Sequence, residues 1–503
     1  MAANSTEGAY DVTILGGGPG GYVAAIRAAQ LGFKTALVEG HKLGGECLNY
    51  GCIPSKALIS AGHTVDKIKH GEKMGIHVEG LSVDLGKLVD WKSSIVKTLT
   101  GGVGQLLKAN GVQVFQGRGE FSGLSADGRL KKIQVNTAID SYDGTARSGG
   151  TGTQNLESGK VVIATGSSTI EIPSFKFNGK TILGSREALD VRKIPKKLVV
   201  IGGGFIGLEI GTFFSKLGTE VTVVEATSQL LPGTDRECVD VVQKKLLKKG
   251  VKILTQTKAS KYEETASGVK VFCESQTGTV TLECDWVLVT VGRKSRTQNL
   301  GLEKISLATN SKGLFDVNSK LETSAPGVFA IGDVVGGPML AHKASFEGMT
   351  AMESLKDPSR SMDIRALPWA IFVDPEISTV GHTEESARAA GWDPVIGKCP
   401  FAANGRALTT GESEGFVKII ADRKTDRILG AHMVGPDVSN LIAEVALAIE
   451  LGATAQDLSR TVHAHPTLPE TLLEAAESVH GMAVHFFEKK PRRHGTSEIP
   501  QHR

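Results

Sequence analysis

At 503 residues the chain is too long for a single hydrophobic core, and two to four domains are expected. Its composition is that of an ordinary globular protein, 40% hydrophobic and 22% charged, with no apolar run of bilayer length, which excludes a helical membrane span. A net charge of +3 gives no footing for nucleic acid or an anionic membrane, and six cysteines do not make a secreted disulfide framework.

The opening segment, Met1 to Gly8, holds neither an apolar signal nor an arginine-rich amphipathic helix. A cytoplasmic location is therefore expected, with the mitochondrial matrix as the eukaryotic alternative. Residues 11–15 read as a strand, Gly16 to Gly21 as a glycine turn, 22–31 as an alanine-rich helix and 34–39 as a second strand. A close cysteine pair, Cys47 and Cys52, follows. Residues 122–160 are rich in Gly, Ser, Thr and Asp and read as a β-meander carrying a long surface loop at 140–158. Residues 161–167 form a buried strand that enters a turn at Thr165 and Gly166.

From residue 197 the opening pattern returns. A strand at 197–201 leads into Gly202 to Gly207, a helix to about Lys216 and a strand at 220–225. Glu225 lies as far beyond Gly202 as Glu39 lies beyond Gly16, so the two units are an internal repeat. Another apolar strand, 286–292, ends at Gly292, and a further one runs from Thr323 to Gly332 and Asp333. Beyond Leu367 the texture changes, with strands at 369–373, 415–421 and 428–434 and an amphipathic helix near 437–451. This is a separate α+β domain ending near His485, and the polar tail from Glu488 is expected to be mobile.

Each repeat places G-x-G-x-x-G between a strand and a helix and closes the next strand with an acid, which points to two bound dinucleotides. The first glycine (Gly16, Gly202) permits a tight turn, and the second (Gly18, Gly204) lets backbone approach a pyrophosphate. The third (Gly21, Gly207) lets helix and strand pack closely. The helix N-terminus, with its free N–H groups, favours the anion, and Glu39 or Glu225 accepts hydrogen bonds from ribose hydroxyls. Glu225 would repel a 2′-phosphate, and Ala226 to Gln229 offer no arginine to bind one. NAD rather than NADP is expected at the second unit.

Residues five apart in a regular helix are displaced by about 7.5 Å along its axis. A disulfide allows a Cα separation of only about 4.4–6.8 Å. Cys47 and Cys52 can pair only where the helix is distorted, and Gly51 and Pro54 supply the means, one by freeing the backbone and the other by removing a donor. Such a bridge should be readily reduced, as a redox-active one must be. A zinc site would want C-x₂₋₄-C spacing and a second pair, whereas Cys238, Cys273, Cys284 and Cys399 are scattered singly. No metal is expected.

Gly44-Gly45-Glu46-Cys47-Leu48-Asn49-Tyr50-Gly51-Cys52-Ile53-Pro54-Ser55-Lys56 closely resembles the active-site segment of dihydrolipoyl dehydrogenases, within the wider flavoprotein disulfide reductase family. The likeness runs from Asp11 to about His485. It implies an α/β fold of two Rossmann-like dinucleotide-binding domains, for FAD and NAD, plus a C-terminal α+β dimerisation domain. Its boundaries fall at 1–165 and 291–365 for the two parts of the FAD domain, 166–290 for the NAD domain, 366–487 for the dimerisation domain and 488–503 for the tail. The segment ending in Gly332 and Asp333 resembles the second flavin signature of such proteins, in which the aspartate holds the ribityl chain, so FAD belongs to the N-terminal unit. Thr165, Gly166 and Gly292 join the expected cofactor contacts.

The resemblance also assigns roles. Cys52 faces the flavin as the charge-transfer thiolate, Cys47 exchanges with substrate, and Lys56 lies near the flavin ring and pairs with Glu209. The family usually has Thr and Val where this chain has Glu46 and Tyr50, and a carboxylate beside Cys47 would raise the thiol pKa unless it faces solvent. Exchange needs a base, because the thiolate attacks. His463-Ala464-His465-Pro466-Thr467-Leu468-Pro469-Glu470 closely resembles the family motif in which the second histidine is that base and the glutamate orients it. His465 and Glu470 take those roles, His463 is structural, and the motif is supplied by the other subunit of a homodimer.

The implied reaction oxidises a dihydrolipoyl group and reduces NAD through FAD. The lipoyl group is carried on an acyltransferase of a 2-oxoacid or acetoin dehydrogenase complex, or on a glycine-cleavage carrier protein. A glutathione- or trypanothione-type reductase is the alternative, but those typically have Val-Pro-Lys-Lys after the second cysteine and arginines for NADP. A mercuric reductase would carry a C-terminal cysteine pair. A weakly active paralogue serving as a binding subunit is the remaining rival.

Overall fold

Strand β1 (Tyr10–Leu15) is the hub of the first half of the chain, because nearly all its side chains are buried on both faces. That is the habit of a central parallel strand covered by helices on each side. In the computed structural model, which describes residues 8–137, 152–266, 268–276 and 278–487, β1 pairs in parallel with β2 (Thr35–Glu39) and with the long strand Thr153–Ile163. The helix α1 (Pro19–Gln30) connects β1 to β2. Proline at its first position suits a site whose N–H has no intrahelical partner. Gly20, Gly21, Ala24, Ala25 and Ala28 form its buried face. Those small side chains let the helix Ala341–Ser354 come close enough that a Cβ on Gly348 would stand 2.7 Å from the Gly20 carbonyl.

Among the described residues the sheet has seven strands. Gln113–Gln116 extends it beyond β2, and Val328–Ala330 joins the C-terminal half of Thr153–Ile163. The N-terminal half of that same strand pairs antiparallel with Lys131–Asn136, which pairs with Arg118–Leu124. The meander is therefore a continuation of the dinucleotide sheet. It also corrects the expected loop at 140–158: residues 153–158 are strand, with Leu156 and Ser158 turned inward despite the polar composition. The rest of that loop up to residue 151 lies outside the described residues, as does the tail at 488–503.

A second parallel sheet runs Lys252–Leu254, Glu220–Val224, Lys197–Ile201, Trp286–Val289 and Ile182–Leu183. The helix Phe205–Lys216 follows Lys197–Ile201 as α1 follows β1. An antiparallel meander, Thr257–Thr265, Gly268–Ser275 and Gly278–Cys284, is inserted before Trp286. The third sheet is wholly antiparallel, in the order Trp369–Ile371, Glu376–Gly381, Ile428–Gly435, Phe416–Asp422 and Pro394–Pro400. It shares one core with the helices Val438–Leu451 and Glu470–His480, built on residues such as Val417, Ile419, Met433, Val445 and Leu472.

The chain divides into two compact units, one of Met1–Pro232 with Leu247–Asp363, the other of Gly233–Leu246 with Ile364–Arg503. Among the described residues no helix is long and apolar enough to cross a membrane.

Candidate active site

The glycine turns are built alike in both repeats. Gly16 and Gly202 have φ of +107° and +104°, a region that L side chains rarely adopt. A Cβ on Gly21 would lie 1.8 Å from the Gly16 carbonyl oxygen, and one on Gly207 would lie 2.4 Å from that of Gly202. The closing acids are held alike as well. Gly17 N–H donates to Glu39 at 2.7 Å and Gly203 N–H donates to Glu225 at 2.6 Å. The other oxygen of each accepts from the backbone two residues on, at His41 and Thr227. Each carboxylate is thus fixed with lone pairs to spare for a ribose. Burial raises the Glu39 pKa, and the N–H bonds from Gly17 and His41 oppose it.

The first turn opens onto a cavity with about 1370 Å³ of empty space, part of it continuous with solvent. Its lining runs from the first glycine turn to the cysteine pair, a reach that suits an extended dinucleotide. Gly16, Gly18, Glu39, Thr165, Gly166 and Asp333 line it, as do Cys47, Cys52, Lys56 and Glu209. Gly21 sits behind it as packing for α1, while Gly202, Gly204, Gly207, Glu225 and Gly292 belong to the second repeat and do not line it. Asp333 accepts a hydrogen bond from Ser167, whose hydroxyl also accepts from Arg293 Nε at 2.8 Å. Thr165 is anchored through its hydroxyl to the Arg296 carbonyl at 2.6 Å.

The cysteines sit on either side of a helix break. Helix α2 (Gly45–Tyr50) carries Cys47, Gly51 interrupts with φ −126° and ψ −102°, and α3 (Cys52–Lys69) begins on Cys52. Both thiols are free, so this is the reduced form of the pair rather than the bridge that the spacing suggests. They are strongly polarised. The Cys47 thiol donates to Cys52 sulfur, and that bond together with burial drives the Cys47 pKa far up. The same bond, aided by the Lys56 charge and opposed by burial, lowers Cys52 to about 7. Lys56 Nζ donates to Glu209 at 2.8 Å, tying α3 to the helix of the second repeat.

A pH titration follows directly. Ultraviolet thiolate absorbance of the reduced protein should rise as pH passes upward through about 7, because Cys52 alone among the six thiols is lowered. Cys238 and Cys399 are pushed far up by burial, Cys399 to about 12, so they stay protonated across that range. The step should vanish in C52S, and a titration in wild type that begins only near 9 would contradict the assignment.

Glu46 does not face solvent. It is ion-paired with Arg186 and, at 3.4 Å, with Arg293. Burial works to raise its pKa, but the two guanidinium groups outweigh it and hold the carboxyl below the usual range. The fear that Glu46 would burden Cys47 is thereby answered: the carboxylate is already neutralised. Sequence reasoning missed Arg186, Arg293 and Arg296 on the cavity wall, and an unmatched carboxylate beside the cysteine was the one signal that a cation had to face it.

His465 and Glu470 lie in the second unit. Glu470 accepts from His465 Nδ1 at 2.8 Å with one oxygen and from Thr467 N–H at 2.7 Å with the other. Burial is the largest single influence on Glu470 and raises its pKa, but these two bonds together outweigh it and leave the carboxyl below the ordinary range. The proton on Nδ1 is held toward Glu470, which leaves Nε2 of the 79% exposed ring facing outward. His463 differs: both ring nitrogens are engaged, by Glu444 and by the Thr461 carbonyl, each at 2.8 Å.

Comparison with known proteins places these features in context. Residues 10–348 match the pyridine nucleotide-disulphide oxidoreductase family, and 367–476 match its dimerisation domain. The chain is 45% identical to a dihydrolipoyl dehydrogenase of Geobacillus stearothermophilus, over 95% of this chain and 98% of that one. It is 44% identical to the same enzyme of Halobacterium salinarum, over 96% and 99%. Among solved structures it is similar to LpdA of Mycobacterium tuberculosis, with a TM-score of 0.84 and 28% identity over 93% and 99%. It is also similar to RclA of Escherichia coli, an HOCl-induced flavoprotein disulfide reductase solved with Cu(II), with a TM-score of 0.79 and 28% identity over 94% and 99%.

Proposed function

The chain belongs to the pyridine nucleotide-disulphide oxidoreductase family, and from that premise we propose that it is an enzyme oxidising protein-bound dihydrolipoyl groups, with NAD as acceptor. The observation that carries this reading is the polarised pair: Cys52, lowered to about 7, and Cys47, across the Gly51 break from it, both line the dinucleotide cavity. Relatives at 43–45% identity over most of the chain, named dihydrolipoyl dehydrogenase, supply the substrate class.

In the oxidised state Cys47 and Cys52 are joined. His465, from the neighbouring copy of a homodimer, takes a proton from one substrate thiol, and the thiolate attacks Cys47. The Cys47–Cys52 bond breaks, and Cys52 leaves as the thiolate that its environment already favours. The second substrate thiol then displaces Cys47, completing the lipoyl disulfide and leaving the dithiol seen in this structure. Gly16, Gly18, Glu39, Thr165 and Asp333 would hold FAD, which would supply the two-electron chemistry linking this dithiol to NAD, with Glu225 at the nicotinamide nucleotide's ribose. The division into an FAD domain (1–165 and 291–365) and an NAD domain (166–290) is part of this reading. Lys56 and Glu209 hold α3 against the second repeat, and Glu470 keeps His465 in the accepting tautomer.

The dimer fits the exposed apolar side chains of the second unit. Val462 is 95% exposed, Leu451 75% and Phe487 90%, an apolar display that a second copy would cover. The test of the function is anaerobic. Dihydrolipoamide added to the flavin-bearing protein should produce a long-wavelength band, and NAD added next should be reduced. Absence of the band, or preference for NADPH with glutathione disulfide, would overturn the reading.

A further inference from the structure

Glu46 and Tyr50, the two departures in the active-site segment, are both gripped by one side chain. Arg186 Nε lies 3.2 Å from each Glu46 oxygen, Nη2 closes more tightly on Oε2, and the guanidinium carbon stands 3.9 Å from the centre of the Tyr50 ring. Tyr50 is itself braced. Its hydroxyl meets His41 Nε2 at 2.6 Å, and the two rings stack with centroids 5.6 Å apart. His41 N–H in turn holds Glu39. Arg186 sits on the short helix Ser185–Ala188, far along the chain from α2, yet both elements wall the same cavity.

We propose that Arg186 is a clamp fastening the helix of Cys47 to a second wall of the cavity, so that it governs how long the flavin dinucleotide is retained. This rests on the cavity holding FAD. Three physical features support it. The Arg186 side chain is 11% exposed and that of Glu46 23%, so the pair is shielded from the solvent that weakens surface ion pairs. A planar guanidinium satisfies a carboxylate edge-on while its face covers an aromatic ring, which the lysine ammonium does not reproduce. A ligand leaving the cavity must shed contacts with both walls, and a bond between those walls opposes their separation.

The test uses the full-length protein with its own flavin and follows release by the fluorescence of free flavin under mild chaotropic salt. R186M and E46T should each release flavin about 30-fold or more faster than wild type, the low end of the cost of removing one partner of a shielded charge pair. R186K should fall between, since it keeps the charge but not the stack. The double variant E46T/R186M should fall well short of the product of the two single effects, because both changes break the Glu46–Arg186 pair and only E46T also releases Arg293. Wild-type release in R186M or E46T would overturn the clamp, as would a double variant showing the product of the two single effects. Should R186M fail to fold, E46T and R186K carry the test. Protein purified without flavin would overturn the cofactor reading and the clamp with it, whereas flavin-bearing protein with unchanged release overturns the clamp alone.

Discussion

C47S is expected to lose NAD-linked dihydrolipoamide oxidation by on the order of 10⁴-fold or more, the scale on which removing a nucleophilic partner acts. The substrate thiolate needs a sulfur to attack, and serine oxygen forms no exchangeable bond with it. C52S should fall as far for a different reason. Its Cys47 accepts the first attack only if joined to a sulfur that can leave, and the one sulfur lowered to about 7 is gone. Neither change touches the second repeat, where Gly203 N–H and Thr227 N–H hold Glu225. NADH should therefore still bleach the flavin in both variants. The paired measurement is steady-state turnover with dihydrolipoamide beside flavin reduction by NADH. Substantial turnover in either variant would remove the pair from the mechanism, and loss of flavin reduction in both would point to a disrupted fold.

H465Q should lower turnover by roughly 10²- to 10⁴-fold, the usual contribution of a positioned general base. E470Q should cost less, because an amide oxygen can still accept from Nδ1 while the charge is lost. The origin of the base can be separated from its identity. In a hybrid dimer of one C47S chain and one H465Q chain, a base supplied by the other copy leaves one intact site and one site lacking both groups. Such hybrids should turn over, while each parent homodimer does not. Inactive hybrids would place His465 and its cysteines on the same chain.

The repeats were legible because their requirement is local. A turn that must approach phosphate excludes side chains at fixed offsets, and the Cβ positions at Gly21 and Gly207 show why nothing larger fits. The helix break at Gly51 was legible for the same reason, whereas the bond between His465 and Glu470 was expected only through the family resemblance, since a histidine five residues from an acid is unremarkable by itself. The strand at 153–158 was not, because Asn155 and Glu157 advertise a loop while the inward Leu156 and Ser158 carry the register. The meander at 257–284 hid similarly behind the exposed Lys258 and Glu263 on a strand whose Thr257 and Ala259 are buried.

By itself the sequence marked where the chemistry of this protein is to be sought: residue type and short spacing singled out the sulfur pair and the glycine turns. The resemblance to the disulfide reductase family, not spacing, assigned the base to His465 and its partner to Glu470. Only the tertiary structure decided what Glu46 means. In isolation it is a carboxylate beside a thiol, a liability for exchange. Folded, it meets Arg186 and Arg293 from more than a hundred residues away. Charge acts through space and solvent exposure, and neither is written in the neighbours along the chain.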